Sequence, residues 1–210
     1  MSRSLLSGLV AGVLSFAGAA HAEDVVRIGT LSDYAPFEYR DAKGELKGME
    51  IELAKTMCKH IQAKCEYVTM DFDALIPALK ARKIDAVLAQ MSITDERKKV
   101  VDFTDLFTLA PVQYVAKAGS GITEDPATLR GKTVGIYSGS SHETYLKKRL
   151  PKSQSGIAIK AYPSQDPIWL DLEAGRVQAA LTDTTVAHEW LEKTGKAQGF
   201  ALAGKPLNDG

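Results

Sequence analysis

Cysteine is scarce in this chain, and surplus charge is absent. Two cysteines in 210 residues exclude a disulfide-dense mini-scaffold. Equal numbers of basic and acidic side chains, 26 of each, argue against a protein that neutralises nucleic-acid phosphates or coats a membrane with basic residues. Beyond residue 22 only His60, His142 and His188 remain, and their spacing fits no metal centre. No GxSxG elbow, nucleophile–base pair or Walker lysine is present, so no catalytic residue, cofactor or metal is expected. What remains is ordinary: 45% hydrophobic, 25% charged, 17 Gly and 8 Pro describe a soluble globular chain. Its length permits one large domain or two small ones.

The first 22 residues read as a secretory leader. Arg3 is followed by an uncharged apolar run over residues 5–16, and Ala20-His21-Ala22 fits the small-x-small cleavage rule ahead of Glu23-Asp24. Gly8, Gly12 and Gly18 would make a poor buried helix, and the run is too short to span a bilayer. Export favours a disulfide between Cys58 and Cys65 over two free thiols. Cys58 closes a helical pattern and Cys65 opens a strand pattern, so the bridge would pin a helix-to-strand turn.

Beyond the leader, strand and helix alternate. Residues 25–29 read as a strand and 49–61 as a helix, with Met49, Leu53, Met57 and Ile61 as its apolar row. Strand 65–69, helix 72–80 and strand 84–89 follow. A second round runs as strand 133–137, helix 142–150, strand 157–162, helix 167–174, strand 177–182 and helix 184–193. This alternation predicts an α/β fold of mainly parallel sheets flanked by helices. The two rounds are related, because residues 79–90 align without a gap on residues 172–183. Both pass from a helix end through a basic turn into a buried strand that stops at a polar residue. Two similar lobes are expected, with the extended run Val112 to Ala116 crossing between them and Phe37 and Phe103 in the core.

In open parallel sheets the ligand sits beyond the carboxyl ends of the strands, so chemistry is sought there. After the first of the aligned strands comes Gln90-Met91-Ser92-Ile93-Thr94-Asp95-Glu96-Arg97. Thr94 can cap a short helix carrying Arg97, whose planar fork either grips a carboxylate or lies solvated beside an acid. Beyond Tyr137, Ser138-Gly139-Ser140-Ser141 opens a helix. That turn either offers backbone N–H groups to an anion or is a plain helix start capped by Ser141. Asp183 suits an ammonium group or caps the helix that begins at Thr184. Tyr34 and Phe72 can sandwich a side chain or belong to the core. Two anion-holding elements and one acid together match a zwitterionic α-amino acid.

These residues also carry a family likeness. Ile28-Gly29-Thr30, Tyr34-Ala35-Pro36-Phe37, Cys58 with Cys65, the run Asp71 to Leu79, Ser92-Ile93-Thr94 with Arg97, Gly139-Ser140-Ser141 and Thr182-Asp183 occur in fixed order. In this the chain resembles periplasmic amino-acid-binding proteins of ABC importers (solute-binding family 3), closest to the lysine/arginine/ornithine- and histidine-binding branch. The likeness covers residues 25–207. It implies a two-lobed clamshell with lobe 1 over residues 23–110, a first hinge at 111–118, lobe 2 at 119–204 and a second crossover starting at 205–210. On this pattern the C-terminal part of lobe 1 is missing. Arg97 would hold the α-carboxylate, aided by backbone at Ser92 and Ser141, with Ser140 in the same turn. Asp183 and the Ser92 hydroxyl would hold the α-ammonium, with Tyr34 and Phe72 around the side chain. The chain departs from the pattern at Leu31, where the cationic branch often carries an acid, and at Ala89 and Gln90, where small residues are usual; Gln90 reshapes the pocket.

The implied partners are a polar or cationic amino acid and an integral-membrane ABC permease, for a monomer working in the periplasm. Two alternatives use the same scaffold. An exported cyclohexadienyl or arogenate dehydratase would need a general acid over its substrate, for which the sequence offers no candidate. A receptor's sensory module would need a second membrane-spanning run, which this chain lacks.

Overall fold

The computed structural model describes residues 24–150 and 156–207; the expected leader and the last three residues lie outside these. Strand β1 (Asp24–Thr30) is the middle of a parallel sheet, flanked by β5 (Ala63–Thr69) and β6 (Ala86–Val87). A small antiparallel sheet, β2 (Asp33–Tyr34), β3 (Glu38–Arg40) and β4 (Leu46–Lys47), leads into helix α1 (Met49–His60). Helix α2 (Phe72–Lys80) precedes β6, and a single turn, α3 (Asp95–Lys98), follows it. Together these form the first lobe.

The second lobe is a five-stranded sheet among the described residues. Its strands are β7 (Val112–Lys117), β8 (Thr133–Tyr137), β9 (Ala158–Tyr162), β10 (Ala179–Asp183) and β11 (Phe200–Leu207), in the order β11-β7-β10-β8-β9. Helix α4 (Ser141–Arg149) connects β8 to β9, α5 (Asp166–Glu173) connects β9 to β10, and α6 (Thr184–Trp190) follows β10. Strands β8, β9 and β10 are mutually parallel, whereas β7 runs antiparallel to both β10 and β11. The mixed direction follows from β7 arriving from the first lobe without a helical crossover of its own. The run Val112 to Ala116 is thus a buried strand of this sheet.

The internal repeat is structural. Arg82 and Gly175 occupy matching places in the two turns, and both adopt left-handed backbone, with φ of 56° and 72°. The Asp85 carboxylate accepts from the Arg27 backbone N–H at 2.9 Å, and Gln178 Oε1 accepts from Thr133 N–H at 2.9 Å. Gly29 lies against Ile84 and Leu75, while Gly135 lies against Val177 and Ile168; the alignment makes Ile84 and Val177 equivalent. A Cβ on Gly29 would strike Ile84 at the entry to β6, and one on Gly135 would crowd Ile168 on α5. The repeats differ in length at the strand: among the described residues β6 pairs with β1 alone, whereas β10 is held on both edges and extends to Asp183.

Two expectations need correction. Helix α1 buries Glu50, Ile51, Ala54 and Cys58, so the row Met49, Leu53, Met57 and Ile61 is not its core face. Met49, Met57 and Ile61 are 45%, 46% and 61% exposed. The Cys58–Cys65 disulfide, with Cα atoms 5.8 Å apart, ties the opposite face to β5 and fixes the helix rotation. Phe37 is core, but Phe103 is only half-buried, in an irregular segment after α3.

Candidate functional site

The main core cluster crosses from one lobe to the other, joining Tyr34, Phe37 and Phe72 to Tyr137, Tyr162 and Trp169. Where it meets the strand ends lies a cleft cavity that leaves about 20 Å3 for the centre of a water molecule. Tyr34, Phe72, Gln90 and Ser92 line it from the first lobe, and Ser140, Ser141 and Asp183 from the second. Seven of the eight sequence-predicted ligand residues thus converge on one space. Arg97 sits at its rim.

Thr94 caps α3 by accepting from Arg97 N–H at 3.2 Å, which places the Arg97 side chain one turn in, facing the cleft. Its guanidinium donates to Ser92 O at 2.8 Å and, across the cleft, to Gly139 O at 3.1 Å. It also lies over the Phe72 ring, 5.2 Å from the centroid, an arrangement that suits the weakly hydrated, planar cation. The fork is therefore held rather than solvated.

In the turn after β8, the cap is Ser140, not Ser141. Its hydroxyl accepts from Glu143 N–H at 3.2 Å and donates to Tyr137 O at 2.6 Å. Ser141 is freed from capping, and its Oγ lies 3.0 Å from Ser92 Oγ of the opposite lobe. Gly139 holds φ at +72°, and its Cα approaches Asp73 so closely that a Cβ would stand 2.9 Å from the Asp73 Cβ. Both features require glycine.

Asp183 stands at the N-cap position of α6, yet its carboxylate makes no capping bond. It accepts instead from the Tyr34 hydroxyl at 2.9 Å, and its other oxygen lies 3.2 Å from His142 Nε2. Burial, and then the adjacent Asp183 charge, hold the Tyr34 phenol well above its ordinary pKa, so Tyr34 stays a donor at neutral pH. Tyr34 packs edge-on to Tyr137, with centroids 5.8 Å apart, and Tyr137 meets Phe72 at 6.1 Å. Tyr34 and Phe72 are thus both core aromatics and cleft walls.

Sequence reasoning missed Tyr137 and His142 as cleft residues. The available signal was position: the last residue of a strand and the first turn of the following helix face the same cleft as the loop between them. It also missed that the cleft is clasped at its edge. The Asp33 carboxylate accepts from the Tyr137 hydroxyl at 3.2 Å and from the backbone N–H of Gln165, the N-cap of α5 in the other lobe. Burial raises the Asp33 pKa, and these hydrogen bonds oppose the rise. Among the described residues there is no cluster of His, Cys, Asp and Glu fit for a metal, and no helix long and apolar enough to cross a membrane.

Two α/β lobes closing on a cleft that carries an arginine at one side and a buried carboxylate at the other define a two-lobed receptor for a small solute. The family model of bacterial extracellular solute-binding proteins, family 3, matches residues 26–197, and the chain belongs to that family. It is similar to the lysine/arginine/ornithine-binding periplasmic protein of Escherichia coli K12, 42% identical over 209 residues, covering 100% of this chain and 78% of that protein. It is also similar to the histidine-binding periplasmic protein of Salmonella typhimurium LT2, 41% identical over 94% of this chain and 76% of the relative. Among solved structures, an ancestral arginine-binding protein bound to arginine superposes with a TM-score of 0.83 at 37% identity. That match covers 90% of this chain and 82% of the other.

Proposed function

We propose that this protein is a periplasmic receptor that captures a polar or cationic L-amino acid and delivers it, as a monomer, to an ABC permease in the inner membrane. Arg97, with backbone N–H groups at Ser92 and Ser141, takes the α-carboxylate through charge-assisted bonds. Asp183 and the Ser92 hydroxyl take the α-ammonium, and Tyr34 and Phe72 flank the side chain. The observation that carries this reading is the pairing of opposite charges in one cleft: a guanidinium reaching across it and a buried carboxylate in its wall. The Tyr34 hydroxyl and His142 lie against Asp183, and two carbonyls accept from Arg97, so both charges are satisfied by the cleft wall itself. Shutting the lobes around the ligand excludes water and strengthens both ion pairs.

A thermal-shift panel of the common amino acids tests the reading, because a ligand that binds the folded state raises the melting temperature. Calorimetry on Arg97→Ala and Asp183→Ala then tests the roles. Each is expected to weaken binding by at least ~2 kcal/mol, the cost of leaving a buried charge without its partner. Unchanged affinity in both variants would refute the assignment.

A further inference from the structure

Gln90 has an unusual position. Its φ is +46°, a region that non-glycine residues rarely enter and that needs outside support. The support is Glu50. The Gln90 backbone N–H lies 3.2 and 3.3 Å from the two carboxylate oxygens, and the side-chain Nε2 donates to Oε1 at 3.1 Å. A carboxylate only accepts, so it fixes which end of the amide faces it. The nitrogen end is turned to Glu50, and Oε1 is the end turned away, on a residue that lines the cleft.

Glu50 is 1% exposed, and Glu38 beside it is 0% exposed. Two carboxyls so close in a dry site cannot both ionise. Burial and the neighbouring Glu50 charge push the Glu38 pKa far up; burial also raises that of Glu50, where the hydrogen bond from the Gln90 backbone N–H opposes the rise. Glu38 is therefore the more readily protonated of the two, and neither of its oxygens has a hydrogen-bond partner among the described residues. Among the described residues neither acid forms a salt bridge with Lys or Arg, and Asp33 and Asp183 add further negative charge nearby. His142 faces this group from α4, at Asp183. The cleft wall beside Gln90 is apolar, formed by Leu31 and Ala89.

We propose that Gln90 is the specificity-determining residue for the far end of the ligand side chain: its Oε1, oriented and backed by Glu50 and Glu38, accepts from an N–H-bearing group and favours a cationic one. Gln90 touches the ligand, while Glu50 acts through it as a positioning residue. This deepens the proposed function and rests on the reading of the cleft as an amino-acid site. A site built to receive a donor discriminates strongly against an analogue that lacks one. It does so here from Gln90, because Leu31 offers no acid.

The test is calorimetry of the full chain with L-arginine, L-lysine, L-glutamine and L-norleucine, on wild type, Gln90→Met and Glu50→Gln. Wild type is expected to prefer the two cations to norleucine. Gln90→Met keeps the side-chain length but removes the acceptor, and should shrink that preference by at least ~10-fold. Glu50→Gln should reduce the preference for arginine over glutamine, a ratio that a general loosening of the fold would leave alone. A preference unchanged in Gln90→Met overturns the proposal, whether or not Glu50→Gln folds. Failure of wild type to bind any of the four would instead sink the amino-acid reading beneath it.

Discussion

Replacing Gly139 by alanine separates the stability of the second lobe from the closure of the cleft. Gly139 holds φ at +72° in the turn between β8 and α4. Left-handed backbone costs a residue with a side chain about 1–2 kcal/mol relative to glycine, and that cost is the same with the cleft open or shut. The second effect belongs to the shut form alone. The new Cβ would stand 2.9 Å from the Asp73 Cβ and 3.3 Å from its Cα, on α2 of the opposite lobe. Carbon atoms prefer about 3.5–4.0 Å, so the lobes must part by roughly 0.6 Å or more at this point. Three contacts lie along that line: Arg97 to Gly139 O at 3.1 Å, Ser138 Oγ to Asp73 at 3.4 Å, and Ser92 to Ser141 at 3.0 Å. Weakening one or two hydrogen bonds of about 1 kcal/mol each should lower ligand affinity about tenfold. Gly175→Ala is the control, since Gly175 has the same φ of +72° with nothing within 4 Å of its added Cβ. Both variants should melt earlier by similar amounts, measured by calorimetry. Only Gly139→Ala should lose affinity and scatter X-rays as a more open particle. Equal affinities for the two variants would refute the argument.

The remaining predictions concern stability. Reducing the Cys58–Cys65 bridge, or replacing both cysteines by serine, should cost about 2.5 kcal/mol by the loop-closure estimate for so short a loop; an unchanged urea midpoint under reducing conditions would contradict this. Hydrogen bonding to Arg27 depresses the Asp85 pKa to about 2. A carboxylate depressed in the folded state stabilises above its unfolded value near 4, and that contribution is lost as pH falls through about 2. Asp85→Asn should therefore melt earlier than wild type at pH 7, with the gap closing toward pH 2. A gap that is constant across that range would show that the pair does not titrate as described.

The parts of this molecule readable from sequence are those that local rules control. The helix–turn–strand repeat was legible because each turn needs a left-handed residue and a polar side chain at fixed offsets, met by Arg82 and Asp85 in one lobe and by Gly175 and Gln178 in the other. The cleft residues followed, since strand ends locate the site once the repeat is seen. What was hidden depends on contacts distant in sequence. The buried face of α1 was chosen by a sheet and a disulfide, so its four-residue apolar row misled. Nothing in the pattern around Glu38 and Glu50, far apart from Gln90 in sequence, announces that the fold buries both and sets Glu50 against Gln90. Ser140 and Ser141 are indistinguishable as caps on paper; the hydrogen bond of Ser140 to Tyr137 O decides between them. The antiparallel entry of β7 reflects the route of the chain between lobes, which no residue pattern records.

Asp33 belongs to one lobe, yet it satisfies the first amide of a helix in the other. When the lobes separate, that helix end must find water in its place. The same helix carries Trp169, stacked on Trp190 with ring centroids 4.4 Å apart, and these are the only two tryptophans in the chain. Intrinsic fluorescence of this pair is therefore the natural place to look for an optical sign that the jaws have parted.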